Sequence, residues 1–441
     1  MKEEKLVNSN GNVFVPAVKM TLGGLLRTLR AFWVLFAAVT VSLTASSIAG
    51  AQTETVLYRF CSLQYCADGT TPAATLVMDG QGNLIGAAAG GNSQAYAGVV
   101  FQVNTSGVES LVYDFMTINQ GVGPNGALAR DASGTLYGTT AGGGYNGAKC
   151  KKYYGCGVVY KLSGGVEQVL YAFQGQSDGQ EPNGAVILDK SGNIYGTTYH
   201  GGGDSKGRPG TVFKVTPAGT ETILHTFGSS KGDGKLPTAG LLMDKKGNLY
   251  GTASEGGGKG SYAPGYKCTN GCGIVFEITA AGAEKILYTF KGFGAGDGAA
   301  PFASLIMDKN GNFYGTTYAG GQYGYGTIFK LTPSGQETVL YSFVGQPDAS
   351  NPVGRLLMDA QGNLFGTTSY GGTFGSGAVF ELTASGNESV LYSFTGGADG
   401  AYPFDGLVMD STGSLYGTTE LGGNLNSSCP LGCGVVFKVT K

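Results

Sequence analysis

Residues 301–343 read PFASLIMDKNGNFYGTTYAGGQYGYGTIFKLTPSGQETVLYSF, and the architecture of the whole chain follows from this segment. It holds four runs, A-S-L-I-M-D (303–308), F-Y-G-T-T (313–317), G-T-I-F-K-L (326–331) and E-T-V-L-Y-S-F (337–343). A D-K-N-G-N turn, a Gly-rich loop and a P-S-G-Q turn separate them. Short runs rich in Val, Ile, Tyr, Phe and Thr, bounded by turn residues, predict four strands of one antiparallel sheet. No stretch of the chain carries a sustained helical period. The same unit recurs, its N-L-Y-G-T-T-like hexad centring on Gly86, Gly138, Gly196, Gly251, Gly315, Gly366 and Gly417. Successive spacings are 52, 58, 55, 64, 51 and 51 residues, and the variation lies in Gly-rich loops. A unit this small cannot bury its own faces, which leaves a solenoid or a propeller, and four strands per unit select propeller blades.

The chain ends complete one another. The first strand after the leader, E-T-V-L-Y-R-F (54–60), is a fourth strand without a blade, and the last unit stops at V-V-F-K-V-T-K (435–441) with three. Joining them closes the ring and removes open sheet edges. The expectation is therefore an all-β, seven-bladed propeller over residues 52–441 with a 3+1 closure. The 80 glycines would read as low complexity, but they fall at fixed offsets in each unit. A net charge of −2 with both signs dispersed excludes electrostatic capture of nucleic acid or of an anionic membrane.

Residues 1–51 read as a signal peptide with a long leader. Lys19, Arg27 and Arg30 precede an apolar run from Ala31 to Ala45, and Ala49-Gly50-Ala51 offers a small-residue cleavage site; Met20 is an alternative start. The run is short of the roughly 20 residues that span a bilayer. Export, to the periplasm or the extracellular space, is expected. The eight cysteines form four close pairs, Cys61 with Cys66, Cys150 with Cys156, Cys268 with Cys272 and Cys429 with Cys433. Their even count and local spacing point to disulfides. Zinc is the rival, disfavoured because a site needs four ligands and these pairs are expected on separate blades.

The unit P-x-x-x-L-x-M-D-x-x-G-N-L-Y-G-T-T-x-x-G-G, followed by G-x-V-F-K-V-T or its K-L-T variant and E-T-V-L-Y-S-F, resembles the GloVer tandem repeat of bacterial exported proteins, the group labelled choice-of-anchor. The resemblance spans residues 54–441 and implies a secreted or surface β-propeller with no family catalytic residues to carry over. Anchored members bear a C-terminal sorting segment, whereas this chain ends at Lys441 on the closing strand, so free secretion is expected. The D-x-x-G-N-L-Y core is more loosely similar to NHL-type and streptogramin-lyase-like propellers.

The positions that vary on a constant scaffold carry the functional signal. The Asp before each hexad reads as a hairpin cap and the Gly-Thr-Thr as inter-blade packing. After the hexad come Tyr199-His200, Ser254-Glu255, Tyr318-Ala319, Ser369-Tyr370 and Glu420-Leu421, against alanines near 89 and 141. Aromatic faces with hydroxyl handles and carboxylates suit a carbohydrate or an extracellular protein ligand. At the channel end of the inner strands Asn183, Arg355 and Asp405 replace small residues; Arg355 can grip an anionic group or pair with Asp405. The blade-to-blade loops carry Asp68, Asp178, Asp233, Asp297, Asp348 and Asp399, explained by Asx-turns, with calcium as the alternative, Asp178, Asp233, Asp297 and Asp399 being its candidates. No other cofactor is expected.

Enzyme readings are narrower. With only His200 and His225, a multi-histidine metal centre cannot be built, and His225 replaces the Tyr of the L-Y-S-F strand. No G-x-S-x-G elbow with a base and an acid is present. Glu255 and Glu420 stand three blades apart, too far for a glycosidase pair. His200 with Glu255, on adjacent blades, is the remaining lyase-like candidate. The sequence thus favours a monomeric secreted binding propeller, with carbohydrate first among ligands. A propeller hydrolase or lyase on polysaccharide or a lactone-like substrate, and a structural envelope protein, are the alternatives.

Overall fold

The computed structural model describes residues 52–91, 97–144, 150, 154–203 and 209–441; the expected leader and its cleavage site lie outside the described residues. The described chain is a seven-bladed β-propeller of antiparallel four-stranded blades. In the fifth blade the strands run Ile306–Met307, Phe313–Thr317, Thr327–Leu331 and Glu337–Ser342 from the axis outward. The seventh blade takes Val408–Met409, Leu415–Thr419 and Val435–Thr440 from one end of the chain and Thr53–Arg59 from the other. That last strand pairs antiparallel from Thr53 opposite Thr440 to Arg59 opposite Val435, which is the 3+1 closure. Among the described residues no helix is long and apolar enough to cross a membrane.

One contact explains the invariant glycine of the hexad. Gly315 lies opposite Phe329 in the ladder, and a Cβ there would stand 2.8 Å from Phe329 Cζ and 3.0 Å from Leu305 Cδ2. The third-strand ring therefore lies flat across its paired glycine. The same ring meets, edge-on, the Phe that ends the fourth strand of the preceding blade: Phe290 and Phe329 have centroids 5.2 Å apart at 72°. This edge-to-face pair, with Tyr160 in place of the third-strand Phe against Phe115, glues each blade to the next, including both junctions at the closure, Phe394 with Phe437 at 5.0 Å and Phe60 with Phe101 at 4.8 Å. All these rings are fully buried, where edge-to-face packing contributes about 0.5–1.5 kcal/mol beyond burial.

The inner strands are shorter than expected. The run 303–308 was predicted as strand, but only Ile306–Met307 joins the ladder. The first half leaves the sheet because the seven inner segments crowd around the axis. A Cβ on Gly184 would lie 2.8 Å from Ala239 O, and one on Gly354 would lie 2.5 Å from Asp405 O. The first Thr of the hexad secures these segments across blades, as in Thr197 Oγ1 donating to Ala239 O at 3.0 Å and Thr252 Oγ1 to Ala303 O at 3.1 Å. The residue before each inner-strand Pro is left-handed in all seven blades, with φ between 52° and 69° from Thr71 to Tyr402. For non-glycine residues this costs about 1–3 kcal/mol. Each such residue donates its N–H to the blade before, as Leu236 does to Pro209 O at 2.8 Å and Tyr402 to Ser376 O at 2.9 Å.

The Asp of each inner turn behaves as a cap. Asp308 Oδ1 accepts from the amides of Asn310 and Asn312 at 2.8 and 2.9 Å, and Oδ2 from Asn312 Nδ2 at 2.8 Å. In Asp79, Asp131, Asp189, Asp244, Asp308 and Asp410 such bonds outweigh the desolvation that opposes them and hold the carboxyls below the ordinary range, Asp410 at about 2.

Candidate ligand-binding site at the channel mouth

The inner segments enclose a cavity of about 1380 Å³ on the propeller axis. Its mouth lies on the face where the loops between second and third strands meet the blade-to-blade connections. Backbone bonds tie the two loop sets together there: Tyr318 N donates to Ala300 O and Glu420 N to Tyr402 O, at 3.0 and 3.1 Å. Tyr199, Tyr318 and Glu420, each the first residue after its hexad, line the cavity. So do Asn183, Arg355 and Asp405 from the inner segments.

The second residues after the hexads are placed differently. His200 Nδ1 stands 3.2 Å from Glu181 Oε2. Glu255 sits opposite Lys235 in a two-residue ladder. Among the described residues no hydrogen bond or ion pair joins His200 to Glu255, so the lyase-like pairing expected from adjacency is not assembled. Tyr370 packs edge-on against Tyr402, centroids 5.1 Å apart, beside rather than within the cavity wall.

Three aromatic residues that sequence reasoning passed over complete the mouth. Phe302 and Phe404 each follow an inner-strand Pro and line the cavity; Tyr402 precedes one. Phe302 meets Tyr318 edge-on at 5.6 Å. Blades five to seven therefore present Phe302, Tyr318, Tyr370, Tyr402 and Phe404 in succession, with Glu420 beside them, and Tyr370 and Phe404 are 42% and 47% exposed. The corresponding positions of the first blade are Ala73 and Ala89. The overlooked signal was the variation immediately flanking the repeated Pro.

Arg355 and Asp405 do not form an ion pair. Asp405 instead bridges to the first blade, accepting from Thr75 N at 2.6 Å and from the Thr75 hydroxyl, and from its neighbour Gly406 N at 2.7 Å. Burial pushes its carboxyl up, while those donors hold it down. Arg355 is open to the channel water, yet the enclosing walls lower its pKa through desolvation against the pull of Asp405. Among the described residues its guanidinium has no hydrogen bond or ion pair within 4 Å, leaving its fork of donors free. Burial also raises Glu420 and, with Tyr370 nearby, Tyr318.

The rim aspartates do not gather; each sits at its own blade junction. Asp68, Asp178, Asp297, Asp348 and Asp399 accept from the hydroxyls of Tyr58, Tyr171, Tyr288, Tyr341 and Tyr392, at 2.7 to 3.0 Å. Each also accepts backbone amides, as Asp297 does from Lys291 at 2.8 Å. At the first junction, which lacks the Asp, Gln120 Nε2 donates to Tyr113 at 2.6 Å and Tyr113 donates to Glu167 at 3.1 Å. A Glu from the next blade closes every junction, and in all seven one carboxylate oxygen is buried without a partner. Burial raises these groups: Glu54, Glu109, Glu221, Glu284 and Glu337 to about 7, and Glu388 to about 8, with the adjacent Asp adding to the effect.

All four cysteine pairs are disulfide-bonded. They are not all on separate blades as expected. The closure lays the segment after strand Thr53–Arg59 against the seventh-blade loop, and the sulfurs of Cys61, Cys66, Cys429 and Cys433 all lie within 4.8 Å of one another. Asn426 Nδ2 reaches across both pairs, 3.1 Å from Cys61 Sγ and 3.8 Å from Cys433 Sγ. The other set of metal-capable atoms this close, among the described residues, is His225, Asp233 and Glu284.

Comparison with solved structures agrees on the fold alone. The extracellular domain of a one-component system from B. thetaiotaomicron superposes with a TM-score of 0.50 at 10% identity, covering 86% of this chain and 40% of that one. A gluconolactonase from Xanthomonas campestris gives 0.38 at 15% identity, covering 72% of this chain and 86% of that one. A further gluconolactonase-family structure gives 0.38 at 16% identity, covering 73% and 90%. Among curated proteins no sequence matches the chain. The family model described as the Gloeobacter/Verrucomicrobia repeat matches residues 42–207 and 263–441.

Proposed function

The chain belongs to the Gloeobacter/Verrucomicrobia repeat family, and from that premise we propose that it is a secreted binding propeller whose channel mouth takes an acidic carbohydrate. The observation that carries the reading is the unpartnered Arg355 guanidinium inside a cavity flanked by Phe302, Tyr318 and Phe404. Sugar rings stack their C–H faces on aromatic rings, and hydroxyls pair with a carboxylate such as Glu420. A free guanidinium adds bidentate recognition of a carboxylate or sulfate substituent. The apolar run of the leader and the four disulfides support an exported protein.

The test is titration calorimetry of the oxidised protein with oligogalacturonides and with neutral glucan oligomers of equal length. Binding of the acidic oligomer, weakened by both Tyr318→Ala and Arg355→Ala, is the expected result. Equal affinity for both oligomers removes Arg355 from the reading. Absence of binding to either removes carbohydrate, and protein partners become the ligand class to pursue.

A further inference from the structure

Seven junctions built on one plan provide an internal control, and two depart from it: the first uses Gln120 where the others have the rim Asp, and the third replaces the Tyr with His225. Where five junctions place a Tyr hydroxyl against the rim Asp, the junction between the third and fourth blades places His225 against Asp233. His225 Nε2 stands 3.5 Å from Asp233 Oδ1 and 3.7 Å from Glu284 Oε1. Both Nε2 and Glu284 Oε1 are fully buried and lack a hydrogen-bond partner. Such separations are too long for good hydrogen bonds. They match the about 3.4 Å between ligand atoms that share a tetrahedral ion at bond lengths of roughly 2.0–2.2 Å.

We propose that His225, Asp233 and Glu284 form a binding site for a divalent first-row transition ion of the zinc type, clamping the third blade to the fourth. One imidazole and two carboxylates are a donor set that suits zinc, manganese or cobalt better than calcium, which prefers oxygen alone. The surroundings hold the ligands in place. The Asp233 side chain is fully buried; its Oδ2 accepts from Ser229 N at 3.0 Å and Ser229 Oγ at 3.2 Å, and its Oδ1 from Gly234 N at 2.6 Å. His225 packs edge-on against Phe227, centroids 4.7 Å apart, which fixes its ring plane. Outer partners of this kind orient metal ligands. His225 and Glu284 side chains are 12% and 16% exposed, so the site lies just beneath the surface and an ion can enter.

The experiment uses the full exported chain with all disulfides formed, verified by a thiol assay, after treatment with a chelator. Zinc and cobalt(II) are titrated by calorimetry and by cobalt absorption, and melting is followed with and without metal. One equivalent is expected to bind and to raise the melting temperature. His225→Tyr restores the side chain of the sister junctions and so retains the fold; it should weaken zinc binding by roughly 100-fold or more, with metal-free melting unchanged. Glu284→Gln should weaken it too. Wild-type protein that binds no zinc, or a His225→Tyr variant that binds equally well, overturns the proposal.

Discussion

The inter-blade packing and the channel mouth are built from the same seven units, yet they use the repeat in opposite ways. Between blades, the edge-to-face pair recurs with nearly fixed geometry, from Phe60–Phe101 round to Phe394–Phe437, with Tyr160 standing in for one Phe. At the mouth, the residue after the repeated Pro changes from Ala73 to Asn183, Phe302 and Phe404. Packing that holds a ring together must be satisfied at each of seven interfaces, because a single weak interface opens the ring. A ligand meets only part of the mouth, so its positions are free to diverge. Constancy therefore marks load, and divergence on a constant frame marks the candidate site.

The sharpest way to break this comparison is to remove one ring of the Phe pair at an ordinary junction and at the closure. Phe329→Ala and Phe437→Ala should each destabilise by about 3–5 kcal/mol, measured by denaturant unfolding. Equal effects mean that the closure, joined only by hydrogen bonds and packing, is as sound as a covalently continuous blade. A far smaller loss for Phe437→Ala means that the closure is frayed before unfolding begins. Gly315→Ala comes next: its new Cβ would press on Phe329 and Leu305, and overpacking costs typically about 1–3 kcal/mol. An unchanged stability would show that the ring tilts away and that the hexad glycine answers to something else.

The mouth should respond in the other sense. Arg355→Ala removes no hydrogen bond among the described residues, so its stability should stay within about 0.5 kcal/mol of wild type. Its affinity for an acidic oligosaccharide should fall by roughly tenfold or more, since a charged hydrogen bond contributes about 1.5–3 kcal/mol. A variant that instead unfolds early would make Arg355 part of the frame.

The strand order, the blade number and the closure were legible because they depend on local periodicity and on counting strands at the two ends. What escaped depends on register. The reason for Gly315 lies 14 residues away in Phe329, and only the pairing of the two strands brings them together. Tyr318 and Tyr370 look equivalent in sequence, but they occupy the first and second positions after their hexads, and only the first turns into the channel. His200 and Glu255 share that second position and are placed accordingly. The convergence of Cys61 and Cys66 with Cys429 and Cys433 follows from the 3+1 closure once both ends are followed past their strands. His225 stood out as a departure from the repeat, but its meaning needed Asp233 and Glu284 beside it.

The smallest expected effect separates two sets of carboxyls with opposite linkage. Asp79, Asp131, Asp189, Asp244, Asp308 and Asp410 are depressed by hydrogen bonds, so their stabilisation is complete above the ordinary Asp value of 3.8 and is lost as pH falls, toward about 2 for Asp410. The junction glutamates are raised by burial. Their stabilisation is complete below the ordinary Glu value of 4.5 and is lost as pH rises through about 7, or about 8 for Glu388 beside Asp348 and Tyr341. Melting temperature should therefore peak in mildly acidic buffer and decline toward pH 8, the reverse of a protein held by ionised surface pairs. Glu388→Gln keeps the shape without the charge and should flatten the part of the decline nearest pH 8, while Asp410→Asn should alter only the acid limb. A wild-type profile level from pH 5 to 8 would mean that the junction glutamates bind protons alike in the folded and unfolded chain, and that burial at the junctions does not raise them.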